Sequence, residues 1–281
     1  MNLVRAAVRR PGRLAAEASA LLVAALVAFP LYWMVLSAVK PAGEIRSTEP
    51  RPWTLSPSAD SFRRVFGQQE FGRYFLNSLL VAGSVVVASA LIAFLAATAV
   101  TRFRFRFRTT LLIMFLIAQT VPVEALTIPL FFLMRDLGQL NTLGSLILPH
   151  IAFSLPFAIW MLRGFVKAVP DTLEEAASID GASRARFLWQ ILFPLVLPGL
   201  VATSVFSFIS AWNDFLFAKS FIISDVSRST LPMALLVFYR PEDPDWGGLM
   251  AASTVMTIPV LVFFVLVQRR LVSGLGGAVK G

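Results

Sequence analysis

Residues 170–198 read PDTLEEAASIDGASRARFLWQILFPLVLP. The order of events in this stretch decides how the chain is built. Thr172 to Glu175 has the Ser/Thr-x-x-Glu spacing of a capping box, so a helix is predicted to begin there. Leu173, Ala176 and Ala177 fall on one face of it at i, i+3 and i+4. Gly181 can take the left-handed conformation that ends such a helix. From Phe187 to Leu200 the sequence is almost wholly apolar. A helix of about eight residues is marginal alone in water, where isolated helices need roughly 12–15 residues. Hung between two oily segments, it needs something to dock against, and that is expected to be another protein.

Composition sets the solvent. The 281 residues are 57% hydrophobic and 15% charged, with a mean hydropathy of +0.75. Soluble domains carry about 25% charged residues, so the chain is read as an all-α integral membrane protein. A net charge of +9 would point to nucleic acid in a soluble protein. Here the charge sits in short blocks beside apolar runs, which is the pattern of positive-inside topology, and no nucleic-acid partner is expected. With no cysteine and a single histidine, disulfides, thiolate catalysis and clustered zinc ligands are largely excluded.

Six spans are predicted. Residues 1–13 form a basic head with Arg5, Arg9, Arg10 and Arg13. Residues 14–39 make a first span rather than a cleaved signal, whose apolar region would be roughly 7–15 residues. Residues 40–74 read as an external loop with short helical pieces. The core, residues 75–268, holds spans at about 75–100, 109–134, 143–162, 191–212 and 249–267, and residues 269–281 are a glycine-rich tail. In the second span Ala82, Gly83, Ser84, Ala88, Ser89, Ala90 and Ala93 suggest a face packed closely on another helix. The loop TRFRFRFR at 101–108 reads as arginines at lipid headgroups with phenylalanines in the interface. Basic residues concentrate in the head, in 101–108, in the stretch around 163–190 and in the tail, which puts both termini and residues 170–190 in the cytoplasm.

Chemistry is sparse. No G-x-x-x-x-G-K-[ST] occurs, so the chain carries no nucleotide site of that type. No H-E-x-x-H or Gly-x-Ser-x-Gly occurs either, and an enzyme is not expected. Gln119, Pro122, Glu124 and Pro129 interrupt the third span. An intramembrane carboxylate usually faces a bundle interior or an aqueous path, and the alternative is a structural pair with a neighbouring helix. Asn213 and Asp214, at the outer end of the fifth span, are either interface caps or part of a polar vestibule. His150 is read as a packed polar residue.

These residues resemble a known family. Glu175-Ala176-Ala177, Asp180-Gly181-Ala182 and Ile191-Leu192-Phe193-Pro194-Leu195 are similar to the EAA loop of ABC-importer permeases, with Phe193 where leucine is usual. Asn77-Ser78, Pro129-Leu130-Phe131, Leu137 to Thr142, Pro156 to Trp160, Ala211 to Phe215 and the tail Gly277 to Gly281 resemble the carbohydrate-uptake permeases of the maltose-inner-subunit type. The resemblance implies a type I permease bundle of six helices in the cell membrane. It further implies a second permease subunit, a dimeric ABC ATPase seated on Glu175, Ala176, Ala177, Asp180, Gly181 and Ala182, and an extracytoplasmic substrate-binding protein. ATP would be hydrolysed in the partners, with no cofactor and no metal in this chain. The tail residues Val279, Lys280 and Gly281 would either reach the ATPases or be simply disordered. The implied cargo is a sugar, oligosaccharide or related polyol phosphate; a polyamine or other small solute fits the same loop, and a membrane enzyme or scaffold is the reading from another class. Phe153, Trp160, Phe206 and Trp212 could stack on sugar faces, or face lipid or core.

Overall fold

The computed structural model describes residues 11–68 and 70–278, with side chains described for 16–68 and 70–268. Among the described residues there is no strand. The helices are α1 (Pro11–Val39), α2 (Ala42–Ile45), α3 (Asp60–Gly67), α4 (Phe71–Arg102), α5 (Arg108–Ala118), α6 (Thr127–Asp136), α7 (Gly144–Ala168), α8 (Asp171–Ile179), α9 (Arg184–Arg186), α10 (Phe193–Trp212), α11 (Leu216–Phe221), α12 (Leu231–Phe238) and α13 (Trp246–Ala278). Five helical segments are long and apolar enough to cross a membrane, and a sixth exists only if α5 and the segment Val123–Asp136 are counted together.

The third span, expected at 109–134 with interruptions at Gln119, Pro122, Glu124 and Pro129, falls across that pair. The two pieces meet at 94°. Pro122 supplies no N–H and pushes the residue before it out of the helical region, so α5 stops at Ala118 and the chain restarts as a 3₁₀ turn over Val123–Leu126. Pro149 and Pro156, by contrast, sit inside α7 without ending it. Other boundaries move outward: α4 runs four residues before and two after the predicted 75–100, and α7 continues to Ala168 rather than 162. Upstream of α10 the chain is already helical from Arg184, through a π-helical segment at Phe187–Leu192. That widened turn precedes Pro194, whose ring would clash with the carbonyl four residues back in an unbroken α-helix.

The chain divides into two compact units. Met1–Gln68 with Phe238–Val255 form one. In it α3 packs on α1, and the connection after α1 is tied down by Ser58 N–H to the Val39 carbonyl at 2.8 Å. The Lys40 ammonium donates to the Arg51 carbonyl at 2.5 Å and lies over the Trp33 ring. Arg64 grips Asp245 with two bonds of 2.9 and 3.1 Å, and Arg46 reaches Asp243 at 2.6 Å. Along α1 the side chains of Leu21, Leu22, Val23, Leu26 and Val27 are exposed, as expected of a helix solvated by lipid.

Gln69–Val237 with Met256–Gly281 form the second unit. Its centre is α4, α7 and α10 packed on one another, around Ala93, Phe94, Ala97, Leu162, Leu192 and Val196. The small-residue face of α4 is narrower than its composition suggested. Ala82, Ser89 and Ala93 are buried, whereas Gly83 and Ser84 are exposed on the other side of the helix. Ser89 meets Ser207 of α10 through a hydroxyl pair at 3.2 Å. Gly199 lets α10 approach α7 closely, since a Cβ there would lie 2.5 Å from the Phe165 ring.

Candidate coupling site

α8 begins two residues earlier than the sequence suggested, with its N-cap at 170 and not 172. Pro170, at φ −59° and ψ 142°, is the N-cap and makes no side-chain cap bond, so the predicted box between Thr172 and Glu175 is not formed. The physical substitute is electrostatic. Asp171 and Glu174 occupy the first turn, where carboxylates meet the positive end of the helix dipole.

The partner of those carboxylates comes from far away in sequence. Arg102, in the last turn of α4, hydrogen-bonds Asp171 and lies 3.8 Å from Glu174. Its other terminal nitrogen donates to the Val169 carbonyl at 2.8 Å and more distantly to that of Val166. One guanidinium therefore joins the end of α4, the exposed carbonyls at the end of α7 and the start of α8. Its side chain is 8% exposed, while that of Asp171 is 85% exposed. This corrects the reading of Arg102 as a headgroup anchor. Phe103, Phe105 and Phe107 are exposed, as that reading required of the aromatic residues.

α8 ends as the sequence predicts. Gly181 sits at φ +77°; the Ala182 N–H reaches the Ala177 carbonyl at 2.8 Å and the Gly181 N–H that of Ser178 at 3.1 Å. These two bonds are the Schellman arrangement, which a residue without Cβ adopts at least cost. Ser183 then caps the next turn by accepting the Arg186 N–H at 3.2 Å. Of the apolar face only Ala177 is buried; Leu173 and Ala176 are exposed, and Ile179 is 87% exposed. Glu175, Asp180 and Gly181 are exposed and Ala182 is half-buried. α8 is thus a short helix held at both ends, with Leu173, Ala176 and Ile179 bare among exposed acids.

The other predicted residues fall into two groups. Gln119 donates to the Phe153 carbonyl at 3.3 Å. Phe153 stacks near Phe217, and Phe217 packs on His150. His150 is buried and its Nε2 lies 3.6 Å from the Asp214 carboxylate. That carboxylate also accepts the Phe217 and Ala218 N–H groups at 3.2 and 3.1 Å, capping α11. Gln119, His150 and Asp214 are thus linked through a pair of aromatic rings. Glu124 lies exposed in the 3₁₀ turn and Asn213 is exposed beside Asp214. Among the aromatic residues, Trp212 is 1% exposed and donates to the Met256 carbonyl at 3.1 Å, so it is core. Trp160 and Phe206 are exposed. Val279, Lys280 and Gly281 lie outside the described residues.

Two clamps escaped the residue-by-residue reading. Asn77 donates to the Ser227 and Ser229 carbonyls, each at 2.9 Å, and Ser78 accepts the Leu231 N–H at 2.7 Å. Asn141, at φ +59°, accepts from the N–H groups of Ile223 and Ser224 at 2.7 and 2.8 Å. An asparagine after Gly138-Gln139-Leu140 was the only available signal, since asparagine tolerates that backbone better than most residues.

Residues 89–276 match the family described as binding-protein-dependent transport system inner membrane component. The diacetylchitobiose uptake system permease protein DasC of Streptomyces coelicolor is 41% identical over 254 residues, covering 90% of this chain and 92% of that one. The trehalose transport system permease protein SugB of Mycobacterium tuberculosis is 34% identical, over 92% of this chain and 95% of its own. In fold the chain resembles a bacterial ABC transporter involved in import of the acidic polysaccharide alginate. The TM-score is 0.77 at 20% identity, covering 92% of this chain and 97% of that one.

Proposed function

The chain belongs to the family of binding-protein-dependent transport system inner membrane components, the permeases of ABC importers, and from this premise we propose that it carries a sugar, oligosaccharide or related polyol phosphate inward. The observation that carries the cargo class is the agreement among relatives matched over nine-tenths of this chain. One serves diacetylchitobiose and another trehalose.

In this reading both termini and α8 are cytoplasmic, as the distribution of basic residues favours. An ATPase dimer receives α8 through Leu173, Ala176 and Ile179, with Glu175, Asp180, Gly181 and Ala182 shaping the seat, and hydrolysis takes place in those subunits. Closure of the ATPases pushes α8. Arg102 passes that displacement to the ends of α4 and α7 together, so these helices move as one lever. Val279, Lys280 and Gly281 form a second contact with the ATPases. A second permease completes the bundle, and a binding protein delivers cargo from outside. Cargo binding in one facing state and ATP binding in the other provide the differential affinity that moves such an equilibrium. Gln119, Glu124 and Asn213 border the path, and Asp214 holds α11 beside it.

The test is isolation of the assembled complex. Co-purification of an ATPase, and a saccharide identified by mass spectrometry on the binding protein, are the expected results. Absence of any ATPase, or a binding protein that holds an amine or amino acid, would overturn the assembly or the cargo class respectively.

A further inference from the structure

We propose that Glu124 is a cargo-contacting carboxylate that selects neutral, polyhydroxylated molecules and turns away acidic ones. The inference rests on the reading of the chain as a sugar permease and deepens it, because it removes phosphorylated polyols from the cargo range.

Depth comes first. α5 has 11 residues, which at 1.5 Å per residue takes the chain about 16 Å inward from its cytoplasmic start. Gln119, the residue that ends it, bonds the backbone of Phe153. Phe153 lies about 14 Å along α7 from the start of that helix at Gly144. The two rulers, one from each side, together span about 30 Å, the thickness of the hydrocarbon core. The break between α5 and α6 therefore falls near the middle of the bilayer. Irregular backbone at that depth is tolerated only where it is buried in protein or lines an aqueous cavity. Glu124 is exposed within the turn that follows the break.

Chemistry comes second. Among the described residues no hydrogen bond or ion pair reaches the Glu124 carboxylate. Among the other carboxylates of the unit, Asp214 is occupied by two backbone N–H groups and faces His150, and Asp136 is paired with Arg135. Gln119 spends one of its two amide N–H groups on Phe153, which leaves the other as a donor and its carbonyl oxygen as an acceptor, and the Thr120 hydroxyl donates to the Ile117 carbonyl. Among their side chains, Gln119, Thr120 and Glu124 thus offer more acceptors than free donors. Vicinal hydroxyls of a sugar supply the missing donors, two to one carboxylate. An anionic cargo brings more acceptors and a like charge into a medium of low dielectric, where repulsion is weakly screened. A basic residue of the second permease is the competing partner for Glu124.

The absence of cysteine from the chain makes the test direct. The permease is assembled with its partner permease, ATPases and binding protein in proteoliposomes, and single cysteines are introduced. Glu124→Cys is expected to react with water-borne methanethiosulfonates, and Ile117→Cys, on an exposed apolar position of α5, is not. With Thr120→Cys, the cationic reagent should react about tenfold faster than the anionic one, and adding Glu124→Gln should bring the ratio near unity. Uptake of diacetylchitobiose should fall at least tenfold in Glu124→Gln while the ATPase still co-purifies, with Glu124→Asp intermediate. An unreactive Glu124→Cys, a charge ratio indifferent to Glu124→Gln, or unchanged uptake in Glu124→Gln would each overturn the proposal. Loss of the second permease from the Glu124→Gln complex would assign the carboxylate to that subunit instead. If the wild-type complex moves no saccharide, the cargo reading fails, and the two labelling experiments still decide whether Glu124 stands in a charge-selective aqueous path.

Discussion

Arg102 and Arg64 both bind an aspartate across a long sequence separation, and they do different work. Arg64 forms an open fork with Asp245, their side chains 45% and 36% exposed. Arg102 is 8% exposed and divides its donors between Asp171 and the carbonyls that end α7. An exposed ion pair is worth about 0–1 kcal/mol and weakens with salt. A buried guanidinium that satisfies the Val169 carbonyl cannot be removed without leaving that group unpaired, at about 1–3 kcal/mol. The first arginine fastens an exposed connection; the second is a structural joint on which, in the proposed assembly, the ATPase is expected to pull. Solvent access, and not charge, separates the two.

That contrast is open to breakage. Arg102→Ala should lower cargo-stimulated ATPase activity and uptake by at least tenfold in reconstituted complexes while α8 still recruits the ATPase. Arg102→Lys should recover only part of it, because one ammonium does not reproduce the planar fork. Equal activity in Arg102→Ala and wild type would reduce the joint to the status of the surface pair. Gly181→Val, at φ +77°, forces a β-branched residue into the left-handed region at about 1–2 kcal/mol. The protein should insert normally and lose substrate-stimulated ATPase, and normal stimulation would mean that the exit angle of α8 is not transmitted.

On the exposed side the expected effects are smaller. Burial pushes the Asp245 carboxyl up, but hydrogen bonds from Arg64 and the Gly248 N–H, together with the charges of Arg64 and Arg46, outweigh it. The group therefore titrates below the ordinary carboxylate range. Since its folded-state pKa is depressed, the associated stability is present above the unfolded pKa near 4 and is lost as pH falls through the folded value. Asp245→Asn should cost about 0–1 kcal/mol at neutral pH. Thermal unfolding of detergent-solubilised wild type should fall toward that of the variant under acid; a gap that persists at pH 2 would contradict the assignment. The smallest effect is expected of Thr172→Ala. With no cap bond from Thr172 to lose, its stability should stay within about 0.5 kcal/mol of wild type, and a larger loss would revive the capping box.

How much of this was legible varies from residue to residue. Gly181 could be read directly, because a helix stop requiring positive φ is a local property and glycine meets it most cheaply. Arg102 could not. In TRFRFRFR it is one of four arginines in alternation, and nothing local distinguishes the one that α4 carries inward from the three beyond its end. Pro122 was visible, but its effect was not, since Pro149 and Pro156 have the same chemistry and leave α7 intact. The fate of a proline at membrane depth depends on whether neighbouring helices and local adjustments satisfy the freed backbone groups. Thr172 shows the opposite error, a local motif overridden when Pro170 starts the helix two residues sooner.

The sequence by itself determined the bilayer as solvent, helices as the spanning elements and the family that the loop at 170–198 belongs to. The first two follow from hydropathy and backbone preference, and the third from the resemblance of that loop's residues to a known motif, all within a few tens of residues. Only the tertiary structure decided that Arg102 meets α8, that the third span is broken around an exposed Glu124, and that Asp214 caps α11 beside His150. Those facts depend on helix phase and on contacts between segments as many as 69 residues apart. They are settled by which groups can be buried together with their hydrogen bonds made, and no sum over local preferences contains that information.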